Sequence, residues 1–156
     1  MMSEREKSTA ELSKNITVIE RLPTIKEYRN ISAAVGWSPS KNDEMIKAVL
    51  CAAVFAVVAI DTITSEAIGC ALLLGDQASF YYVKDVMVYP HWQGKQVGTA
   101  MMHALNNWLE RNGANNSLVA LISNETLEPF YQQFAFVKAF SMIRIFNVMK
   151  IISRIS

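Results

Sequence analysis

The sequence has few cysteines, prolines and glycines, and it has no excess of charge of either sign. Two cysteines, four prolines and six glycines occur among its 156 residues. Because Cys51 and Cys70 belong to no CxxC motif or Cys/His cluster, they favour buried, reduced thiols and a cytoplasmic protein over a disulfide framework or a metal site. Fifteen Lys and Arg oppose fourteen Asp and Glu, so the net charge of +1 gives no whole-protein attraction for nucleic acid.

The sequence also has little that would direct it to a membrane. Residues 1–14 are polar and contain no apolar stretch of the kind that a signal peptide carries. The longest apolar stretch, Ala48 to Ile60, is too short to span a bilayer. We therefore expect neither a membrane nor a nucleic acid among the partners of this protein.

Apolar residues, in contrast, are abundant. The chain is 51% hydrophobic and 19% charged, a composition typical of globular proteins. Its length fits one domain with a sizeable core. We expect a single domain over residues 1–156, with a flexible tail at 1–14, a core at 16–146 and a tail at 147–156 that the pattern does not assign.

Hydrophobic periodicity and turn residues predict four helices and six or seven strands. The predicted strands cover Ile16–Ile19, Ala53–Ile60, Ala67–Leu74, Phe80–Tyr89, Leu118–Ile122 and one or two pieces of Phe136–Phe146. The predicted helices cover Ile25–Val35, Asn42–Cys51, Lys95–Arg111 and a segment that starts at Ser123. Short turns join the three strands between Ala53 and Tyr89, which predicts an antiparallel meander. The strand–helix–strand piece from Phe80 to Ile122 predicts a right-handed crossover and a parallel pair. The fold class is therefore α/β (α+β) with a mixed, mostly antiparallel sheet.

The segment from Val83 to Thr99 is the most informative part of the sequence. A strand ends near Pro90, a short polar turn follows, and an amphipathic helix opens. A helix N-terminus presents unpaired N–H groups and the positive end of the helix dipole, so it is suited to bind an anion. Gly94 and Gly98 carry no Cβ, so a phosphate can approach the backbone there. We predict that this turn binds a pyrophosphate, and that the preceding strand guides the rest of the same cofactor.

Two motifs in this sequence resemble those of the GNAT superfamily of N-acetyltransferases. The family's phosphate-binding motif is Gln/Arg-x-x-Gly-x-Gly/Ala, and Gln93-Gly94-Lys95-Gln96-Val97-Gly98 follows it except at Gln96, where the family prefers glycine. The family often ends its fourth helix with Phe-Tyr-x-x-x-Gly-Phe, and Phe130–Phe136 follows this phrase except at Ala135. The order of elements also agrees, so the resemblance covers about residues 16–146.

The resemblance implies a fold and a cofactor site. The fold would have a central sheet of six to seven strands, about four flanking helices, and a parallel, splayed strand pair at its centre. Acetyl-CoA would lie between the members of that pair, and its pantetheine arm would pair with the first of them like a missing strand. The positions that the resemblance assigns to the cofactor are Val86, Met87, Val88, Gln93, Gly94, Lys95, Gln96, Val97, Gly98, Thr99, Asn124 and Tyr131.

Transfer of an acetyl group to an amine also needs proton donors and acceptors. By resemblance, Tyr131 is the general acid; the alternative is an aromatic ring that packs under the cofactor. Asp85 interrupts an apolar strand and is a candidate general base, with a structural carboxylate or a chain of waters as alternatives. Lys95 is either a phosphate ligand or a solvated lysine. Trp37, after the first helix, is either a wall of the acceptor pocket or a plug of the core.

The resulting hypothesis is an acetyl-CoA-dependent N-acetyltransferase that moves the acetyl group directly to a primary amine of a small molecule. The alternative is a non-catalytic acyl-CoA-binding sensor, to which the departures at Gln96 and Ala135 give some weight. No GxGxxG or GxxxxGK[ST] motif supports a nucleotide-binding fold. A homodimer built on the C-terminal strands is a further expectation.

Overall fold

In the part of the chain that the structure describes, the sheet contains five strands in the order in which they occur along the chain. A computed structural model describes Met1, residues 14–37 and residues 42–146. Its strands are β1 (Ile16–Glu20), β2 (Phe55–Asp61), β3 (Ala67–Gly75), β4 (Phe80–Val88) and β5 (Leu118–Ala120). Strands β1 to β4 pair antiparallel with their neighbours, and β5 joins β4 in parallel. The mixed, mostly antiparallel sheet and its parallel pair are therefore confirmed.

Four α-helices occur in the described part of the chain. They are α1 (Ile25–Ala34), α2 (Asp43–Cys51), α3 (Val97–Asn112) and α4 (Glu128–Gln132). Short 3₁₀ turns at Pro90–Trp92 and Glu125–Leu127 precede α3 and α4. Within these described residues, no helix has the length and apolar character that crossing a membrane requires.

Side-chain caps explain where α1 and α2 begin. The Thr24 side chain accepts a hydrogen bond from the Glu27 N–H, and the Glu27 carboxylate accepts one from the Thr24 N–H. This capping box satisfies two backbone donors that the first turn leaves unpaired. The Asn42 side chain accepts from the Met45 N–H and caps α2 in the same manner. Both helices were predicted from the sequence within about two residues of their observed ends.

Both faces of the sheet are buried. Helices α1 and α2 and one sheet face form a common core, to which Ala56 and Val58 of β2 contribute. Val57 and Ala59 alternate with them, point to the opposite face and are also fully buried. Helix α3 contacts β1 to β4. On that side the Trp108 ring stacks on Phe55 with the ring centroids 5.1 Å apart. The sheet is thus held between two helical layers, and the site residues of β4 lie at its carboxyl end.

The chain divides into two units, Met1–Asn124 and Glu125–Ser156. The first unit holds the sheet with α1, α2 and α3, and the second holds α4. In the second unit the helix predicted from Ser123 begins instead at Glu128, after a 3₁₀ turn, with Pro129 in its first turn. Proline is tolerated there because the first-turn N–H groups have no helical acceptor. The single domain over residues 1–156 stays a prediction.

The C-terminal strand prediction was wrong for the described residues. Residues 136–146 carry no regular secondary structure, and Phe140 is 90% exposed. No described strand pairs with this segment, and a strand needs such a partner to satisfy its backbone N–H and C=O groups. The described sheet consequently has five strands, not six or seven, and its parallel pair lies at one end of the strand order. Of the tails predicted at 1–14 and 147–156, residues 2–13 and 147–156 lie outside the described residues.

Candidate functional site

The turn between β4 and α3 presents unpaired backbone donors. Gln96 precedes the helix in a left-handed conformation, with φ of 66°, and its side chain makes no capping hydrogen bond. The Ala100 N–H donates to the Gln96 carbonyl at 3.0 Å, which closes the first helical turn. The N–H groups of Val97, Gly98 and Thr99 therefore have no acceptor within the helix. Together with the positive end of the dipole of this 16-residue helix, they form a site that suits an anion.

The backbone of this turn is open to a bulky ligand. Gly94 has a φ of 73°, and a Cβ placed there would meet no atom within 4 Å. The Lys95 ammonium lies 5.3 Å from the centroid of the Trp92 ring, a distance typical of a cation–π contact. This contact keeps a cation beside the helix N-terminus. The turn thus offers space, unpaired donors and positive charge, which are the features that a pyrophosphate requires.

Strand β4 extends well beyond its pairing with β5. The parallel pairs are Phe80–Leu118, Tyr81–Val119 and Tyr82–Ala120, whereas β4 runs on to Val88. The Tyr89 N–H donates to Ile68, so by the alternation of an antiparallel ladder the backbone groups of Val88 point away from β3. The Val88 carbonyl accepts a hydrogen bond from Gln93 Nε2 at 3.0 Å. The structure therefore brings the end of β4 and the start of the turn into direct contact.

A β-bulge interrupts β4 next to this edge. Lys84 pairs with Leu72, and Met87 pairs with Cys70. Asp85 and Val86 consequently face the single residue between Cys70 and Leu72 on β3, which is the arrangement of a bulge. Asp85 adopts a left-handed backbone with φ of 54°, a conformation that aspartate tolerates better than most residues. The bulge re-aims the Asp85 side chain, which pairs with a tyrosine of α1.

Asp85 belongs to a partly buried polar cluster. The Tyr28 hydroxyl donates to Asp85 Oδ2 at 2.6 Å, and the Lys84 ammonium forms an ion pair with the same oxygen. Burial, and then the hydrogen bond to Asp85, raises the pKa of Tyr28 above its usual range. Burial likewise raises the pKa of the neighbouring Cys70 thiol to about 12. Tyr28 and Cys70 therefore stay uncharged at neutral pH, and the charges of the cluster are those of Asp85 and Lys84.

Tyr28 is the functional candidate that the sequence did not reveal. It lies 57 residues before Asp85, so no local motif joins the two. One signal was present: a tyrosine on the buried face of a helix needs a partner for its hydroxyl, and Asp85 was the carboxylate expected in the apolar strand.

The other residues singled out in the sequence lie outside the turn and the polar cluster. Trp37 follows α1 and is 45% exposed, so it does not plug the core. Asn124 is exposed beyond the end of β5. Cys51 is exposed rather than buried, because it ends α2 on the outer side, whereas Cys70 is buried as predicted.

Tyr131 lies in the second unit, in α4. It is 8% exposed, and its ring centroid is 4.9 Å from that of Phe130. Phe136 contacts the same ring edge-on. Burial raises the pKa of the Tyr131 hydroxyl, so this group stays protonated at neutral pH and can act as a proton donor.

A strand, an open turn with unpaired donors and a helix together form a site that suits an anion, and comparison with known proteins identifies the family. Residues 52–138 match the family model of the acetyltransferase (GNAT) domain. Since the match covers more than half of the chain, this protein belongs to the GNAT acetyltransferase family, whose members use acetyl-CoA. A comparison with curated protein sequences gave no significant match.

Solved structures agree with this fold. A probable acetyltransferase from methicillin-resistant Staphylococcus aureus is 23% identical, with a TM-score of 0.75 over 84% of this chain and 99% of that one. A GNAT family acetyltransferase from Streptococcus pneumoniae is 24% identical, with a TM-score of 0.69 over 85% and 98% of the two chains. An aminoglycoside N-acetyltransferase in complex with CoA is 14% identical, with a TM-score of 0.63 over 85% and 95%. At these identities the likeness concerns the fold.

The left-handed backbone of Gln96 makes this residue a candidate for replacement by glycine. Glycine adopts this conformation without the steric penalty of a Cβ. We expect Gln96→Gly to raise the free energy of unfolding by about 0.5–1 kcal/mol, and to leave CoA affinity unchanged or tighter. Urea denaturation and calorimetry measure the two quantities. Gln96→Ala is the matched control, since it removes the same amide but keeps the Cβ. A large loss of affinity in both variants would instead mean that the Gln96 side chain contacts the cofactor.

Proposed function

We propose that this protein is an acetyl-CoA-dependent N-acetyltransferase that moves the acetyl group directly to a primary amine of a small molecule. The observation that carries the proposal is the turn between β4 and α3, where the unpaired donors of Val97–Thr99 adjoin the open backbone of Gly94. Its position after β4, in a chain of the GNAT family, supports acetyl-CoA as the ligand.

The cofactor would use two parts of the first unit. The pyrophosphate would accept hydrogen bonds from the N–H groups of residues 94–99, with Lys95 as a nearby cation. The pantetheine arm would add to β4 between Val86 and Val88, along the edge where β4 continues beyond its last residue paired with β5. Such an arm needs β4 and β5 to diverge at their carboxyl ends. The roles of Asn124 and Gln93 as further contacts of the cofactor rest on the family motif.

The reaction requires three contributions from this chain. Acetyl-CoA, when bound, supplies the acetyl thioester. Asp85 would take a proton from the acceptor ammonium, directly or through one water, so that the nitrogen gains a free electron pair. The nitrogen would then bond to the acetyl carbon as the carbon–sulfur bond breaks, and the second proton that the nitrogen loses would replace the one that Tyr131 gives to the sulfur, so that only the proton on Asp85 is released to solvent. The Val88 N–H would stabilise charge on the carbonyl oxygen, and the Tyr131 hydroxyl would give a proton to the departing sulfur.

A small amine fits this proposal better than a protein substrate. One solved neighbour is an aminoglycoside N-acetyltransferase, so an acetyltransferase of this fold is named for a small amine-bearing substrate. Trp37, exposed at the end of α1, is the proposed wall of the acceptor pocket. The homodimer stays a prediction that sedimentation would test.

Release of free thiol from acetyl-CoA tests the proposal most directly. The panel of acceptors comprises polyamines, aralkylamines, aminoglycosides and amino acids. We expect turnover with at least one of these classes. Tight binding of acetyl-CoA without turnover on any amine would favour the sensor, and failure to bind acetyl-CoA would contradict both functions.

The Asp85→Asn variant tests whether Asp85 is the general base. Asp85→Asn keeps the shape of the side chain, and asparagine tolerates the left-handed backbone of the bulge. Because asparagine cannot accept the proton, we expect kcat/KM to fall about ten- to a hundredfold, with loss of one ionisation from the acid limb of the pH profile. Acetyl-CoA affinity, measured by calorimetry, should not change. A variant with the full rate and an unaltered profile would leave Asp85 as a structural carboxylate.

A further inference from the structure

The polar cluster at the bulge is asymmetric at the Asp85 carboxylate. The Tyr28 hydroxyl and the Lys84 ammonium both contact Oδ2. Among the residues that the structure describes, none donates a hydrogen bond to Oδ1. The Asp85 side chain keeps 9% exposure, so the carboxylate is not sealed in the core. One oxygen is thus held by the protein, while the other remains available to a proton.

Tyr28 is placed to control this carboxylate. Its side chain is 1% exposed and belongs to the core formed by α1, α2 and the sheet, so its ring has little freedom to move. Its hydroxyl comes from a different element than Lys84, which adjoins Asp85 along β4. A donor fixed by the core sets the direction of the carboxylate more firmly than the flexible lysine chain can.

We propose that Tyr28 is the positioning residue of the Asp85 base: by donating to Oδ2 it fixes the orientation of the carboxylate and leaves Oδ1 to take the proton of the acceptor amine. This role rests on the proposed function, because it needs Asp85 to accept the proton of the acceptor. The Tyr28 hydroxyl and the Lys84 ammonium both contact Oδ2, which leaves Oδ1 as the oxygen that gains the proton. Tyr28 itself stays protonated and does not exchange a proton with the substrate.

The charges around Asp85 define what a pH experiment would report. Lys84 faces it from its own strand, Tyr28 from α1, and Cys70 from β3. Tyr28 and Cys70 are uncharged at neutral pH, so Lys84 is the charged group in contact with Asp85, while the Glu27 carboxylate of α1 acts on the cluster from further away, through Cys70. Removal of the Tyr28 hydroxyl changes the donors to Asp85 while leaving every charge in place. A change in the acid limb of the rate profile would then report the lost hydrogen bond.

Tyr28→Phe is the test, because it removes the hydroxyl and keeps the buried ring. We expect kcat/KM for the best amine to fall about tenfold, and the acid limb of its pH profile to move to higher pH, because a carboxylate that has lost a donor holds a proton more tightly. Acetyl-CoA affinity should stay the same. Tyr81→Phe is the matched control: Tyr81 is also a fully buried tyrosine, but its hydroxyl accepts from the Ala114 N–H and does not contact Asp85. The control should keep the wild-type pH profile.

A double-mutant cycle separates a positioning role from a general loss of stability. In the Asp85→Asn background, Tyr28→Phe should have almost no further effect on kcat/KM, because the base that it positions is gone. If the two effects multiply, or if Tyr28→Phe keeps the wild-type rate and profile, the role of Tyr28 is overturned while the transferase stands. If the wild type turns over no amine, the proposed function fails, and the role of Tyr28 fails with it.

Should Tyr28→Phe fail to fold, the titration of the Asp85 carboxyl carbon by NMR gives a second comparison. Tyr28→Leu and Tyr28→Met keep an apolar side chain in the same core position but carry no donor, and whichever of the two folds replaces phenylalanine in the comparison. A carboxyl titration that matches the wild type in a variant unable to donate to Oδ2 would overturn the proposal. A midpoint displaced to higher pH would support it.

Discussion

We expect Gly98→Glu to abolish acetyl-CoA binding while the fold survives. Gly98 is the second residue of α3, among the N–H groups that have no helical acceptor. A carboxylate there would occupy the space of the pyrophosphate and repel its negative charge. The same carboxylate is favourable for the helix, because it lies at the positive end of the dipole and because glutamate has a higher helix propensity than glycine. We expect no measurable heat of binding in calorimetry, and a melting temperature equal to or above that of the wild type.

Gly98→Gln separates the two reasons for this loss. Glutamine has nearly the same size as glutamate but no charge, so it should weaken binding less than glutamate does. Raising the salt concentration should recover part of the binding of the glutamate variant, since salt screens the repulsion between exposed charges. Unchanged acetyl-CoA affinity in Gly98→Glu would remove the pyrophosphate from this turn.

The elements with local signals were predictable from the sequence. The strand predicted over Ala67–Leu74 is observed over Ala67–Gly75 as β3. It pairs antiparallel with β2 and β4, the strands before and after it, as the predicted meander requires. Alternation of side chains and turn residues act over a few positions, so a reading of neighbouring residues captures them. The same holds for the turn before α3, where the helix starts at Val97, two residues later than predicted. That shift follows from the left-handed Gln96, which the periodicity could not reveal.

Features that depend on distant residues were not predictable. The bulge at Asp85 adds one residue to β4 relative to β3, and alternation of apolar residues does not show such an insertion. The hydrogen bond between Tyr28 and Asp85 joins two elements that meet only after the sheet has formed. Residues 136–146 have the composition of a strand, but a strand forms only beside a partner. The composition of residues 136–146 therefore predicted a strand, but no described strand lies beside the segment to pair with it.

Tyr131→Phe tests whether the Tyr131 hydroxyl is the general acid of the proposed enzyme. The substitution removes the hydroxyl and keeps the ring, which packs against Phe130 and Phe136 within its unit. Acetyl-CoA affinity should therefore stay nearly the same. If the hydroxyl protonates the departing sulfur, kcat should fall about ten- to a thousandfold, which corresponds to about 1.4 to 4 kcal/mol of transition-state stabilisation. Steady-state kinetics with the best acceptor amine measures kcat, and calorimetry measures the affinity.

The general acid has a second signature, which a packing role would not produce. Without the acid, the rate should depend more strongly on how well the leaving thiolate carries its charge. An acetyl thioester with a more acidic thiol should then recover part of the lost rate in Tyr131→Phe, and should gain little in the wild type. Phe130→Leu, which alters the aromatic packing without removing a hydroxyl, is the control and should not show this selective recovery. Full turnover of Tyr131→Phe on acetyl-CoA would refute the acid role, because burial of an unreactive ring would then be the whole function of Tyr131.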